Sequence, residues 1–156
     1  TDQAQKKQLQ SLKGKAAVAN SRMTFEKWKE IRNSDVALAL ERNHANVQRV
    51  LWGSTGTKNP QYRDVKYVTE LIAAPTVNTL PEPTLNAFLD HGQVRGAFTE
   101  DLGESLAIIQ SLRDVHIDID AVCRKLLDSG VAEFDQAFKE LLASIEKKAA
   151  ELSSVQ

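Results

Sequence analysis

The six residues from Gly53 to Lys58 read Gly-Ser-Thr-Gly-Thr-Lys, so they combine two glycines, three hydroxyl side chains and one cation. A phosphate dianion is bound by such groups: backbone N–H donors that glycine brings close, hydroxyl donors, a positive charge and the positive end of a helix dipole. A helix predicted just beyond Pro60 would supply that dipole. The loop therefore predicts a phosphate-binding site. Its candidate binding residues are Ser54, Lys58, Thr55 and Gly56.

Two other interpretations of this loop are a nucleotide-binding P-loop and an ordinary surface turn. A P-loop requires the spacing G-x-x-x-x-G-K-[ST]. Here Thr57 separates Gly56 from Lys58, and the next position is Asn59 instead of serine or threonine. The spacing excludes the P-loop. The surface turn stays open, because glycine, serine, threonine and asparagine are common turn residues.

The loop lies within an alternation of strand and helix patterns that spans residues 45–92. Val47–Trp52 is a short β-branched and aromatic run typical of a buried strand, and Thr76–Leu80 is a second one. Apolar spacing predicts a helix between them, over residues 62–72, and another that Pro81-Glu82-Pro83 opens and Gly92 ends. This order is typical of a parallel α/β unit, because a crossover helix joins parallel neighbours.

Helical patterns flank this unit on both sides. The first is an amphipathic helix of about thirty residues that ends near Ser34, with a possible break at Gly14. A short helix follows it and runs to about His44. Residues 99–152 form the C-terminal helical part of the same single domain.

Three C-terminal helices are predicted from Thr99 onward. Apolar residues from Leu102 to Leu112 mark the first of them. The second begins with Asp118 or Asp120 as its N-cap and stops at Ser129-Gly130, and the third runs on from there.

Two strands cannot form a self-sufficient parallel sheet, because each would leave a row of unpaired backbone donors and acceptors. The sequence therefore predicts an α/β chain, mostly helical by content, that lacks its other strands. The first residue is Thr1 instead of methionine, which agrees with a chain cut from something longer.

The composition is that of an ordinary globular protein. Its 156 residues fit one domain, and 20 Lys and Arg stand against 21 Asp and Glu. This balance argues against broad binding to nucleic acid or a membrane surface. The one cysteine, Cys123, has apolar neighbours and is predicted to be a buried, inert thiol. There is no run long enough to span a bilayer and no signal peptide, so a cytoplasmic setting is expected.

Four stretches of the sequence share a pattern with one known family. They are GKAAVAN from Gly14, LWGSTGTKNPQYRDVKYVTELI from Leu51, TVNTLPEPTLNAFLDHG from Thr76 and IDIDAVCRKLLDSGVAEFDQAFKELLASI from Ile117. Together and in this order they resemble the late part of a bacterial-type transaldolase, and the similarity covers nearly the whole chain.

The resemblance implies a (β/α)8 barrel whose seventh and eighth strands are Gln48–Gly53 and Thr76–Leu80. It implies the transfer of a dihydroxyacetone unit between sugar phosphates in the non-oxidative pentose phosphate pathway. A lysine amine forms a Schiff base with the ketose carbonyl, carboxylates move the protons, and no metal or organic cofactor takes part. The implied partners are the sugar-phosphate substrate and the N-terminal remainder of the barrel.

The resemblance also implies roles for single residues. Ser54 matches the family serine that contacts the substrate phosphate at the end of the seventh strand. Many members have an arginine soon after that serine, and here Lys58 is the candidate cation instead. The Schiff-base lysine belongs to the earlier strands, which this sequence lacks, and Lys58 is a poor substitute because a lysine nucleophile needs a desolvated site. The isolated chain is therefore expected to be inactive.

The remaining chemical residues favour structural roles. His44, His91 and His116 stand apart beside helix ends or turns, and His91, near the C-terminus of its helix, suits the helix dipole. His116 with the nearby aspartates is a weak metal candidate, since the aspartates are better N-caps. Trp28 and Trp52 are predicted to be core residues. The alternative to a transaldolase fragment is a non-catalytic helical interaction module, in which the apolar stripes of the first and last helices contact a partner.

Overall fold

The computed structural model describes residues 3–98 and 101–153, and the chain divides into two compact units, Thr1–Val115 and His116–Gln156. The first unit holds the elements from α1 to α6, and the second holds α7. In chain order the elements are α1 (Gln3–Leu12), α2 (Ala16–Arg32), α3 (Asp35–Arg42), β1 (Val50–Trp52), α4 (Lys66–Glu70), β2 (Thr76–Asn78), α5 (Glu82–His91), α6 (Gly103–Asp114) and α7 (Ile119–Ser153).

The expected thirty-residue helix is two helices, because the chain breaks at Gly14. This glycine has a φ of 76°, in the left-handed region where an L side chain is strained. A Cβ at this position would lie 3.1 Å from Cζ of Tyr62, so the missing side chain also lets the tyrosine ring pack closely. The ring of Tyr62 therefore packs against the backbone at the break between α1 and α2.

β1 and β2 pair in parallel, as the sequence predicts. Val50 is opposite Thr76, and Trp52 is opposite Asn78. Both strands are shorter than the runs that predict them, with three residues each. Within the described residues each strand has one neighbour, so the outer edge of each is left without a ladder partner.

The helix expected just beyond Pro60 is absent, and that expectation is wrong. The amide of Gln61 donates to Oδ1 of Asn59 at 2.9 Å, and the amide of Tyr62 donates to the carbonyl of Asn59 at 3.1 Å. An asparagine before a proline favours this local turn over a helix. Helix α4 therefore begins only at Lys66, and it is five residues long.

The core of the first unit surrounds Trp52. Its indole packs with Phe25 and Leu71, and its Nε1 donates to the carbonyl of Leu71 at 3.0 Å. Phe98 covers the cluster, with its ring centroid 5.3 Å from that of Phe25. Trp52 is the buried core residue that the sequence predicts. Trp28 is half-buried at the edge of this cluster, and its Nε1 donates to a backbone carbonyl.

Helices α5 and α6 complete the first unit. Pro81 precedes α5, and Gly92 ends it by donating its amide to the carbonyl of Phe88 at 2.8 Å. Helix α6 lies against α2 and buries Ser105 and Leu112. The predicted starting point of this helical part, Thr99, lies outside the described residues.

Helix α7 is continuous from Ile119 to Ser153, so the predicted stop at Ser129-Gly130 is wrong. A glycine inside a helix costs only about 1 kcal/mol relative to alanine, and the helix-forming residues that follow Gly130 outweigh it. Asp118 is the N-cap, because its Oδ1 accepts from the amide of Ala121 at 3.1 Å.

The expectation that Cys123 is buried is also wrong. Its side chain is exposed on α7, as are the large apolar residues of that helix from Val122 to Leu152. Apolar neighbours along a helix predict a shared face, but they bury a thiol only where a second element covers that face. None of the described helices is both long and apolar enough to cross a membrane.

Candidate functional site

The carboxyl ends of β1 and β2 meet at one edge of the sheet, because parallel strands end on the same side. Thr79 follows β2 and bonds to β1 twice, since its amide donates to the carbonyl of Trp52 at 3.0 Å and its Oγ1 donates to the same carbonyl at 3.1 Å. Ser54 follows β1, and its amide donates to Oγ1 of Thr79 at 2.9 Å. These bonds fix the start of the loop against the end of the neighbouring strand.

Thr55 continues this attachment. Its amide donates to the carbonyl of Thr79 at 3.2 Å, and its Oγ1 donates to Oδ1 of Asn78 at 2.7 Å. The residue is buried. Both donors of Thr55 are therefore engaged with β2 and the residue after it, and this threonine holds the loop in place.

Ser54 lies at the turning point of the loop and is exposed. Its φ is 52°, a left-handed conformation that is uncommon for a residue other than glycine. Within the described part of the chain, its hydroxyl makes no hydrogen bond. Strained backbone of this kind persists only where surrounding bonds enforce it, as the bonds of Thr79 do here. The hydroxyl is thus held at the strand end with its hydrogen-bonding capacity unused.

Gly56 brings the loop against the beginning of α5. A Cβ at this position would lie 3.0 Å from Cγ of Pro81 and 3.3 Å from Oγ1 of Thr84, so a larger residue would force the loop outward. No side chain caps α5 at Pro81. The helix start that approaches the loop is therefore that of α5, whereas the sequence predicts one beyond Pro60.

Thr57 and Lys58 end the loop. The hydroxyl of Thr57 is buried and has no hydrogen-bond partner among the described residues. From the sequence, Thr57 is only one of three hydroxyl residues in the loop. Nothing in the sequence indicates that its hydroxyl is buried without a hydrogen-bond partner. Lys58 is exposed, and within residues 3–98 and 101–153 it forms no ion pair. Among the described residues, the loop thus contains one cation without an ion pair, Lys58, and two hydroxyls without hydrogen-bond partners, those of Ser54 and Thr57.

A histidine–aspartate pair ties the segment after the loop to the end of α5. Nε2 of His91 lies 2.9 Å from Oδ1 of Asp64, and Nδ1 lies 3.0 Å from Oδ2 of Asp90. The hydrogen bond to Asp64, followed by that to Asp90, raises the pKa of His91. The hydrogen bond from His91 lowers the pKa of Asp64. The sequence assigns His91 to the helix dipole alone and misses Asp64, which is 27 residues away.

The other candidates remain separate from this loop. His116 is exposed with a φ of 64°, and His44 has a φ of 65°, so both occupy turns at helix ends. Asp118 serves as the N-cap of α7. Among the described residues, no group of three or more histidine, cysteine or acidic side chains could hold a metal ion.

Several known proteins are similar to this chain in amino-acid sequence. The transaldolase of Trichodesmium erythraeum is 41% identical over 157 residues, which cover 99% of this chain and 41% of that protein. Transaldolase 2 of a Nostoc species is 44% identical over 94% of this chain and 39% of its own length. The transaldolase of Mycolicibacterium smegmatis is 44% identical over 85% of this chain and 36% of its own length. The chain therefore spans about two fifths of the length of these curated relatives.

A family model described as Transaldolase/Fructose-6-phosphate aldolase matches residues 1–145. This match covers the ends of β1 and β2, which hydrogen bonds of Thr79 hold together, the loop after β1 and most of the helices. The resemblance noted from the sequence is confirmed: the chain belongs to the transaldolase/fructose-6-phosphate aldolase family.

Proposed function

We propose that this chain is the C-terminal portion of a transaldolase and supplies the last two strands of a (β/α)8 barrel. The reaction moves a dihydroxyacetone unit from sedoheptulose 7-phosphate to glyceraldehyde 3-phosphate and yields erythrose 4-phosphate and fructose 6-phosphate. It belongs to the non-oxidative pentose phosphate pathway in the cytoplasm. The curated relatives carry the name transaldolase, and the parallel pair of strands joined by α4 suits a section of such a barrel.

The proposal rests on the carboxyl ends of β1 and β2, which the hydrogen bonds of Thr79 hold together. In barrel enzymes the active site is built from the loops at this end, and phosphate is often bound after the last two strands. Here the loop after β1 is fixed to Thr79, which directly follows β2, and it leaves the hydroxyl of Ser54 uncommitted. A loop whose backbone is fixed while its donors stay free is preorganised for an anionic ligand.

In this proposal Ser54 and Lys58 contact the substrate phosphate. The serine hydroxyl donates one hydrogen bond, and the lysine ammonium neutralises charge as a point cation. Gly56 allows the backbone to approach the phosphate beside the start of α5, whose dipole favours an anion. Thr55 positions the loop through Asn78, because its own donors are engaged.

The Schiff-base lysine lies outside this chain in our proposal. It would belong to the earlier barrel strands, which a partner or a longer parent polypeptide provides. The outer edges of β1 and β2 support this idea, because parallel strands normally have neighbours and cover on both faces. The chain by itself would bind sugar phosphate weakly and transfer nothing.

The test is to incubate the isolated chain with fructose 6-phosphate and borohydride and to measure its mass. Borohydride reduces an imine between a lysine and the ketose carbonyl to a stable amine, so an active lysine would gain the mass of the ketose, or of the dihydroxyacetone unit left after cleavage, less one oxygen atom. We expect no adduct on this chain. A stoichiometric adduct on any of its lysines would contradict the claim that the catalytic amine lies elsewhere.

A second experiment tests the phosphate loop. We expect Lys58→Ala to weaken the binding of fructose 6-phosphate by about ten- to a hundredfold in a complete barrel, since a charge-assisted contact contributes roughly 1.5–3 kcal/mol. Lys125→Ala removes an exposed cation from α7 and should leave binding unchanged. Equal affinity of the Lys58 variant and the parent would remove this residue from the site.

The alternative is a helical interaction module, and the exposed apolar face of α7 favours it. Phe134 is 81% exposed and Leu127 is 66% exposed, which is unusual for a helix that has reached its final partner. Circular dichroism and sedimentation, with and without sugar phosphate, distinguish the two functions. A monodisperse, cooperatively folding monomer that ignores sugar phosphates supports the module, and a chain that associates until the barrel is completed supports the transaldolase portion.

A further inference from the structure

A cavity of about 450 Å³ lies in the first unit, and no residue of the Ser54–Lys58 loop lines it. Its walls come from the first two turns of α2, from α4, from the segment 95–98 and from α6. Small-molecule sites occupy about 300–1,000 Å³, so the cavity is large enough for a compact ligand. No role is assigned to it by the proposed transaldolase reaction.

Positive charge exceeds negative charge around this cavity. The charged residues that line it are the cations Lys15, Arg22, Lys66 and Arg95 and the carboxylates Glu70 and Glu104. Lys66 is neutralised by Glu70, because their Nζ and Oε1 atoms are 2.6 Å apart. Within the described residues, Lys15 and Arg95 have no ion pair, although Arg95 donates a hydrogen bond to Gln93. The cavity therefore favours an anion.

The start of α2 adds backbone donors to the same wall. Lys15 is the N-cap of this 17-residue helix, and no side chain makes a capping hydrogen bond there. The first amides of a helix have no partner within it and carry the positive end of the dipole. Lys15 and Val18 both line the cavity, so this helix start lies beside the cationic side chains.

Thr69 provides an observation that does not depend on charge. It lines the cavity, and its Oγ1 is buried with no hydrogen-bond partner among the described residues. A buried hydroxyl without a partner destabilises the fold, so native proteins rarely keep one without a reason. The hydroxyl has no exposed surface, so an acceptor in the cavity reaches it, and removes that penalty, once the side chain rotates toward the cavity.

We propose that this cavity binds a phosphate-bearing small molecule at a second anion site, separate from the Ser54–Lys58 loop. Phosphate oxygens accept hydrogen bonds from hydroxyl and backbone donors at once, and their charge complements Lys15 and Arg95. The site does not require the catalytic strands, so its test is independent of the test of the transaldolase proposal.

Inorganic phosphate is the probe, titrated into the ¹⁵N-labelled chain at constant ionic strength with sodium chloride as the blank. We expect saturable amide shifts at the start of α2 and around Thr69, in addition to any at Ser54–Lys58. In the double variant K15Q/R95Q the phosphate dissociation constant at the cavity should rise about tenfold, since each exposed cation contributes about threefold. Lys58→Gln should leave these cavity shifts unchanged, and Lys125→Gln is the matched control.

Thr69→Val separates a ligand-binding hydroxyl from a structural one. The substitution removes the unpartnered polar atom at nearly constant volume, so the midpoint of thermal unfolding should rise while phosphate binding at the cavity weakens. A lower midpoint would mean that the hydroxyl serves the fold, which overturns its assigned role. Shifts confined to Ser54–Lys58, or cavity shifts that K15Q/R95Q does not reduce, would overturn the second site.

Discussion

Large apolar side chains are buried around Trp52 but exposed on helix α7. Trp52 is 7% exposed and lies among aromatic and aliphatic side chains, whereas Phe134 on α7 is 81% exposed. Four parts of the chain meet around the tryptophan, namely residues 18–28, 50–52 and 67–73 and Phe98, but α7 belongs to a unit of its own. An apolar stripe can thus be fully formed as a helix face and still lack the surface that it would bury. A large exposed apolar face of this kind marks a site for contact with another surface.

The largest effect that sharpens this comparison comes from truncating the two aromatic residues. Trp52→Ala should lower the free energy of unfolding by about 3–5 kcal/mol, because it leaves a cavity and removes the hydrogen bond to the carbonyl of Leu71. Phe134→Ala should change it by less than about 0.5 kcal/mol. Chemical denaturation followed by circular dichroism measures both. Equal losses would mean that the face of α7 is buried in this chain.

Two glycines provide the next contrast. Gly14→Ala should lower the free energy of unfolding by about 1–2 kcal/mol or more, since a side chain at φ 76° is strained and would press on Tyr62. Gly130→Ala should raise the stability of the α7 unit by up to about 1 kcal/mol, because nothing lies within 4 Å of the new Cβ. Thermal unfolding separates them. A stabilising Gly14→Ala would contradict the strained break between α1 and α2.

Two neighbouring threonines test the attachment of the loop. Thr55→Val should destabilise the chain by about 1–2 kcal/mol, because it leaves the amide oxygen of Asn78 without its partner. Thr57→Val should be neutral or stabilising, since the hydroxyl that it removes has no partner among the described residues. Denaturant unfolding measures this difference. A larger loss for Thr57 than for Thr55 would reverse the roles given to them.

Much of the first unit follows from local sequence. The Gly14 break and the helix end at Gly92 rest on residues that act within a few positions, and the parallel pairing of β1 and β2 follows from the crossover helix predicted between them. The bonds of Thr55 and Ser54 to Asn78 and Thr79 join residues 23 and 25 positions apart, and nothing in the hydroxyl types specifies those partners. The position of the site is therefore predictable, whereas the division between positioning and free hydroxyls is not.

Helix α7 shows a second feature that local sequence does not determine, which is where a helix ends and whether its apolar face is covered. Gly130 predicts a helix end, but its cost of about 1 kcal/mol is small beside the helix-forming residues around it. Cys123 is exposed because the face on which it lies has no covering element in its own unit. Periodicity predicts that a face is apolar, and only the tertiary structure determines whether that face is covered.

The smallest expected effect concerns the pair between His91 and Asp64, which is exposed to solvent. The pKa of His91 is raised, so its contribution to stability is present below its ordinary pKa of 6.5 and is lost as the pH rises through the raised value. The pKa of Asp64 is lowered, so its contribution is present above 3.8 and is lost as the pH falls through the lowered value. The stabilising window is therefore pH 3.8 to 6.5.

His91→Gln should reduce the midpoint of thermal unfolding slightly within this window and leave it unchanged at pH 9. Asp35→Asn, at the first turn of α3, is a control for removing an exposed charge that does not pair with the histidine. A difference between wild type and His91→Gln that grows above pH 7 would contradict the assigned sign.

Completion of the barrel tests the central proposal most directly. The isolated chain is mixed with the N-terminal portion of the Trichodesmium erythraeum transaldolase, the part that precedes the segment matched by this chain, and dihydroxyacetone transfer is assayed. We predict that neither piece is active alone, that the mixture forms a stable complex with transferase activity, and that Lys58→Ala raises the KM for sugar phosphate. A stable complex without activity, or transfer by this chain alone, would contradict the account.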